Sequence, residues 1–196
     1  MIRNYIKVAV RNLLRQKGFS FINIFGLALG ISCTALIGMW VNDELSYDRF
    51  HKDYDRMYRI TATLPEMKVH AAVSSAPLGP AVKNELPEIE EVVRISGFNS
   101  DLIQVGDVKF EEKAVLYADS NFFRVFTFPF IKGDPERALQ NPEGIVITEA
   151  MAMKYFGSTD VLEKIIRKNN NHDFTVTGVI ANIPANSHLK FDFVQP

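Results

Sequence analysis

The chain changes its hydrophobic rhythm twice. Over residues 2–17 (IRNYIKVAVRNLLRQK), Arg3, Lys7, Arg11 and Arg15 recur at every fourth position. Each such step turns a helix by about 40°, so the four share one face, with Ile2, Tyr5, Ile6, Ala9, Val10 and Leu13 opposite. This predicts an amphipathic helix suited to lie on an anionic membrane surface. Residues 19–41 (FSFINIFGLALGISCTALIGMWV) then carry no charged side chain. A helix of that length rises about 1.5 Å per residue, reaches past the ~30 Å hydrocarbon core of a bilayer and satisfies its own backbone polar groups. It is therefore read as a transmembrane helix, with Lys17-Gly18 as the elbow leading into it. Beyond residue 42 the apolar positions break into short alternating runs, the pattern of a folded domain.

Other readings of the apolar run fit less well. A cleaved signal peptide has an apolar region of ~7–15 residues behind a short basic stretch. Here 18 residues precede a longer run and no A-x-A-like site follows. A lipoprotein signal ending at Cys33 would want a large aliphatic residue where Gly30 stands. A buried soluble helix of this length would show a polar face. Within the span, Gly26 and Gly30 form a GxxxG, and Ala28 and Ser32 repeat the spacing, which lets a second helix approach closely. Trp40 fits an anchor at the outer interface.

Past the span, residues 42–59 place Phe50, Tyr54, Met57 and Tyr58 at helical spacing, predicting a helix that lays an aromatic stripe on the domain. Residues 58–64, 68–73, 91–96, 113–118, 144–147 and 173–180 read as strands, and 102–105 with 108–110 as a hairpin around Gly106-Asp107. Residues 80–86 read as a short helix ending before Pro87. Asp119 and Ser120 are candidate caps for a turn through Phe122, Phe123 and Phe126, and Pro135 suits the first position of a helix. Thr148 is expected to cap a helix over 149–156 that Gly157 ends. Residues 169–171 read as a turn. A further apolar stretch over 191–194 is still running at Pro196, so the chain is expected to be the N-terminal part of a longer protein.

Charge sharpens the picture. Five of the 22 basic residues lie in the first 18 positions with no acid among them, so the 23 acidic residues outweigh the basic ones in the remainder. By the positive-inside rule the N-terminus stays in the cytoplasm and the acidic bulk lies outside. No basic patch stands out in that bulk, which argues against nucleic-acid binding. The single cysteine lies in the apolar run, so no disulfide framework and no paired-cysteine metal site can form within one chain. GxxxxGK[ST], GxSxG and HExxH are all absent, and the four histidines (His51, His70, His172, His188) are scattered. They are assigned surface or capping roles. The acid pairs Asp43/Glu44, Glu90/Glu91 and Glu111/Glu112 read as solvated edges. No catalytic residue, metal site or cofactor is expected.

An ordered set of stretches nevertheless resembles a known family. It runs RQKGFSFINIFGLALG (15–30), DELSYDRFHK (43–52), DRMYRI (55–60), APLGP (76–80), FFRVFTFPFIKGDPERAL (122–139), IVITEAMAMKYFG (145–157) and VTGVIANIPANSHLKFDF (176–193). Together these are similar to the N-terminal part of ABC transporter permeases of the MacB/FtsX type. The resemblance implies an α+β fold: a cytoplasmic interfacial helix (1–18), a transmembrane helix (19–41) and an incomplete MacB-like periplasmic core domain (42–196). It implies a bacterial inner-membrane protein with its bulk in the periplasm. Such permeases pair with a second permease copy or homologue and with an ATP-binding subunit, contact membrane lipid, and can meet a periplasmic adaptor. ATP hydrolysis on the separate subunit moves the periplasmic domains to export or extract a substrate. Where the family usually has a D-P-I-G-K turn, this chain has Asp160-Val161-Leu162-Glu163-Lys164. The rival reading from another class is a single-pass membrane-anchored sensor or binding protein with an extracytoplasmic domain.

Overall fold

The computed structural model of the chain describes residues 2–64 and 69–196 and divides at Tyr47/Asp48 into two compact units. The first is helical. Helix α1 (Ile2–Arg15) is followed by α2 (Lys17–Glu44), and the break between them falls at Gln16, with φ −111° and ψ 59°. It lies one residue before the expected elbow. Backbone bonds from Gln16 N to Asn12 O and from Ser20 N to Gln16 O bridge the break. Helix α2 is longer at both ends than the uncharged run, and it is long and apolar enough to cross a membrane. Two of its hydroxyls bond the helix's own backbone: Ser32 Oγ donates to Ala28 O at 2.8 Å and Thr34 Oγ1 to Gly30 O at 2.9 Å. Neither then needs a partner from its surroundings. Apart from Ser20, every described residue of these two helices is exposed.

The second unit is built on a sheet. Its elements are a 3-10 turn (Tyr54–Arg56), β1 (Ala62–Leu64), β2 (Val69–Ala71), α3 (Leu78–Glu85), β3 (Ile95–Val105), β4 (Val108–Ala118), α4 (Phe122–Val125), β5 (Phe130–Gly133), β6 (Gly144–Thr148), α5 (Glu149–Phe156), β7 (Ile165–Lys168), β8 (His172–Ile180) and β9 (Phe193–Gln195). Strands β1 and β2 form a separate antiparallel ribbon. The pairing of six others runs β3–β4–β9–β6–β8–β7 and returns to β3, a closed ring, with β5 added on β8. Strand β9 joins β4 in parallel and β6 in antiparallel fashion, so residues close to the end of the sequence form the middle of the sheet.

Side chains alternate across this sheet and fill two cores. On one side Val115, Ile145, Ile147, Val176 and Phe193 pack with Ala152 and Tyr155 of α5. On the other, Leu116, Val146, Ile180 and Val194 pack with Phe122, Phe123, Phe128 and Phe191. Phe122 is the hub of the second core, with ring centroids 5.0 Å from Phe123, 4.9 Å from Phe126 and 5.8 Å from Phe191. Neighbouring residues Ile145, Val146 and Ile147 thus serve opposite cores, as the period of a strand requires.

Local signals account for several elements. Gly106, at φ +56°, takes the first turn position between paired Val105 and Val108, where a two-residue hairpin needs positive φ. Thr148 Oγ1 accepts from Met151 N at 3.4 Å to cap α5, and left-handed Gly157 ends it.

Other expectations are corrected. The helix predicted over 42–59 is absent beyond Glu44: Asp48 turns left-handed at φ +56°, only a 3-10 turn follows, and Tyr58 is 88% exposed while Phe50 alone of the stripe packs on the phenylalanine core. The strand expected over 58–64 pairs only from Ala62, that of 68–73 pairs at Val69–Ala71, with residue 68 outside the described residues, and the strand expected over 91–96 starts at Ile95. Asp119 does not cap α4; its carboxylate binds the Arg94 guanidinium, at 2.7 Å from Nη2. Residues 135–140 form turns rather than a helix led by Pro135. Strands β5 and β7 had no counterpart in the pattern. Glu163, where the family pattern has glycine, keeps a left-handed backbone at φ +64°, held by its N–H on Val176 O and by Lys164 N–H on Val161 O.

Candidate functional site

The sequence nominated residues on the helical unit, and the structure leaves them all on its surface. Arg3, Lys7, Arg11 and Arg15 are exposed along α1, and Trp40 is 65% exposed on α2. A side-chain carbon added at Gly26 or Gly30 would meet nothing within 4 Å, so that face of α2 is open.

On the sheet unit, two polar groupings escape the local pattern. The first centres on Glu112. Between the pairs Asn99↔Val115 and Asp101↔Glu112 strand β4 uses one residue more than β3. This bulge reverses the alternation and swings Glu112 to the side of α5, where it is buried. There Glu112 Oε1 accepts from Lys154 Nζ at 2.6 Å and from the Tyr155 hydroxyl at 2.5 Å. Burial, and then the bond to Glu112, raise the Tyr155 phenol far above its ordinary value, so it stays a donor. Asp192 lies in the same field. Its carboxyl is raised chiefly by burial and next by the charge of Glu112, against the Thr148 hydroxyl and Lys154. Glu112 is thus no solvated edge, in contrast to the exposed Glu111 beside it.

The second grouping centres on His51, which is buried, against the surface role expected of the histidines. Its Nδ1 accepts from Thr127 N at 3.0 Å, and Lys52 N donates to Thr127 Oγ1 at 3.2 Å. The rings of Phe50, Phe126 and Phe128 surround it at centroid distances of 4.1, 5.4 and 5.1 Å. Local sequence carries no trace of this site, because its partners lie some 76 residues away.

Among the described residues no three histidine, cysteine or acidic side chains are grouped to hold a metal. Two clefts, of about 220 and 310 Å³, have neither histidine, cysteine nor serine in their walls. The charges of the first are already paired, Arg94 with Asp119 and Lys83 with Glu91.

Comparison with known proteins specifies what this apolar helix and sheet domain resemble. The family described as the MacB-like periplasmic core domain matches residues 20–194. The chain belongs to that family. It is similar to a solved domain from a Porphyromonas gingivalis protein titled as a permease, with 28% identity over 61% of this chain and 55% of that one and a TM-score of 0.54. It is also similar to the periplasmic region of MacB from Actinobacillus actinomycetemcomitans (20% identity, 60% and 54% covered, TM-score 0.43). A third likeness is to the extracellular domain of the noncanonical ABC-type transporter YknZ from Gram-positive bacteria (17%, 62% and 61%, 0.46). The chain spans little more than half the length of these solved chains. No curated protein matches it. As a member of the family, the chain carries a MacB-like periplasmic core domain, with an apolar helix before the sheet unit in sequence.

Proposed function

We propose that the chain forms the first membrane helix and periplasmic domain of a permease that couples ATP hydrolysis on a partner subunit to movement outside the membrane, for export or extraction of a substrate. The observation that carries this reading is the family match, which begins inside the apolar helix and continues into the last strand. The excess of basic residues before the helix favours a cytoplasmic N-terminus. In this reading Arg3, Lys7, Arg11 and Arg15 hold α1 on the anionic inner leaflet beside the ATP-binding subunit. The open Gly26/Gly30 face receives another permease helix, from this copy or a second one. Trp40 anchors the outer end. The sheet unit meets the substrate or a periplasmic adaptor. The chain itself performs no catalysis, and the ATPase is separate.

The test is co-purification of the full-length gene product from native membranes, with and without replacement of the four α1 basic residues by Glu. An ATP-binding subunit that accompanies the native protein and is lost from the variant supports the reading. A protein recovered alone, or with a signalling partner, overturns it in favour of an anchored sensor.

A further inference from the structure

The His51 site has a property that packing alone does not require. Thr127 N–H donates to Nδ1, so Nδ1 carries no proton, and the proton of the neutral ring sits on Nε2. Nε2 is buried without a hydrogen-bond partner. The rings of Phe126 and Phe128 stand edge-to-face with the imidazole, and an aromatic ring offers at most a weak contact to an N–H. A second proton would have to go onto Nδ1. There it would oppose the Thr127 donor and leave a charge enclosed by phenylalanines.

The surroundings do little to shelter that charge. Residues 126–128 bring phenylalanines and a threonine, with no titratable group. Phe50 flanks the ring on its own segment. Among the described residues Asp48 supplies the favourable charge acting on the imidazole, and that carboxylate is engaged elsewhere. It accepts from His188 N at 3.0 Å and lies 2.6 Å from His188 Nδ1, while Asp48 N donates to Asn186 O. These bonds do not involve the His51 ring.

We propose that residues 50–52 form a strap, hinged at Asp48, that is docked on the phenylalanine core while His51 is neutral and released when His51 takes a proton. The strap lies at the start of the sheet unit, shortly after α2 in the chain. The inference does not depend on the permease reading. Burial holds the His51 imidazole below the ordinary histidine value, with Asp48 acting in the opposite sense. Docking is therefore full above the ordinary histidine range and is lost as pH falls through the depressed value.

Amide exchange on the full chain in micelles tests this, with rates corrected for the chemical dependence of exchange on pH. Between pH 7.5 and pH 5, protection of the Thr127 and Lys52 amides is expected to fall at least tenfold, while amides of β6 keep theirs. In His51→Asn the amide oxygen can take the place of Nδ1 and cannot be protonated, so protection should persist at both pH values. Unchanged protection in the native protein overturns the proposal. So does loss that spreads to β6, or an equal loss in His51→Asn. Should that variant not fold, the imidazole C–H resonance of native His51 decides: it must titrate below the ordinary histidine value and in step with the Thr127 amide. An ordinary titration, or one uncoupled from that amide, overturns the proposal as well.

Discussion

The helical unit and the sheet unit both carry many large apolar side chains and dispose of them in opposite ways. Leu29 and Ile37 on α2 are 55% and 62% exposed, whereas Phe193, Ile147 and Leu116 of the sheet are wholly enclosed by their own chain. The sheet unit thus supplies its own apolar environment. The helix supplies none and depends on lipid or on other helices for it. Its backbone can accept such a setting because its hydrogen bonds are internal, and Ser32 and Thr34 add no unmet donor.

The sharpest way to break this comparison is to shorten one enclosed and one exposed side chain. Phe193→Ala empties the middle of the sheet and should lower the stability of the sheet unit by about 3–5 kcal/mol, read as a shift of its urea unfolding midpoint in micelles. Leu29→Ala should leave that midpoint in place. An equal shift for both would mean that the two units do not stand apart in stability.

Much of this was legible in the pattern of residues. The uncharged run of 19–41, the turn at Gly106-Asp107 and the Thr148 and Gly157 caps all act within a few positions of where they are written. The helix predicted over 42–59 failed for the converse reason. Its aromatic spacing was real, but Asp48 is drawn into a left-handed turn by bonds to residues 186 and 188, far along the chain. His51 was misread because Thr127, Phe126 and Phe128, which enclose it together with Phe50, are equally remote.

The second prediction has a smaller effect and concerns the acidic grouping inside the sheet unit. The Asp192 carboxyl is raised in the folded protein, so its contribution to stability is full below its unfolded value and declines as pH rises through the folded one. Asp192→Asn keeps an oxygen for the Thr148 hydroxyl and removes that decline. Unfolding followed across pH 3–7 should show the variant gaining on the native protein as pH rises. A difference between the two that does not change with pH would sink this account of Glu112 and Asp192.

The smallest change expected is at Glu163. A left-handed backbone costs a non-glycine residue roughly 1–2 kcal/mol, and part of any gain from glycine is returned as entropy of the unfolded chain. Glu163→Gly should therefore stabilise the sheet unit by about 0.5–1 kcal/mol in the same urea assay. Destabilisation would show that the Glu163 side chain contributes more than its backbone strain removes.

The sequence by itself determined the apolar helix with its basic leader, the short capped elements, the α+β class and the family. The helix, its leader and the capped elements depend on composition or on neighbours within one turn of helix or one hairpin, where rise, periodicity and turn stereochemistry leave few alternatives, while the family and the α+β class it implies rest on the ordered stretches between residues 15 and 193. Only the tertiary structure decided that β9 lies between β4 and β6, that a bulge carries Glu112 inward, and that His51 is enclosed by Phe126 and Phe128. In those cases the deciding partner is tens of residues away, and the free energy of burying a side chain against it outweighs what its immediate neighbours prefer.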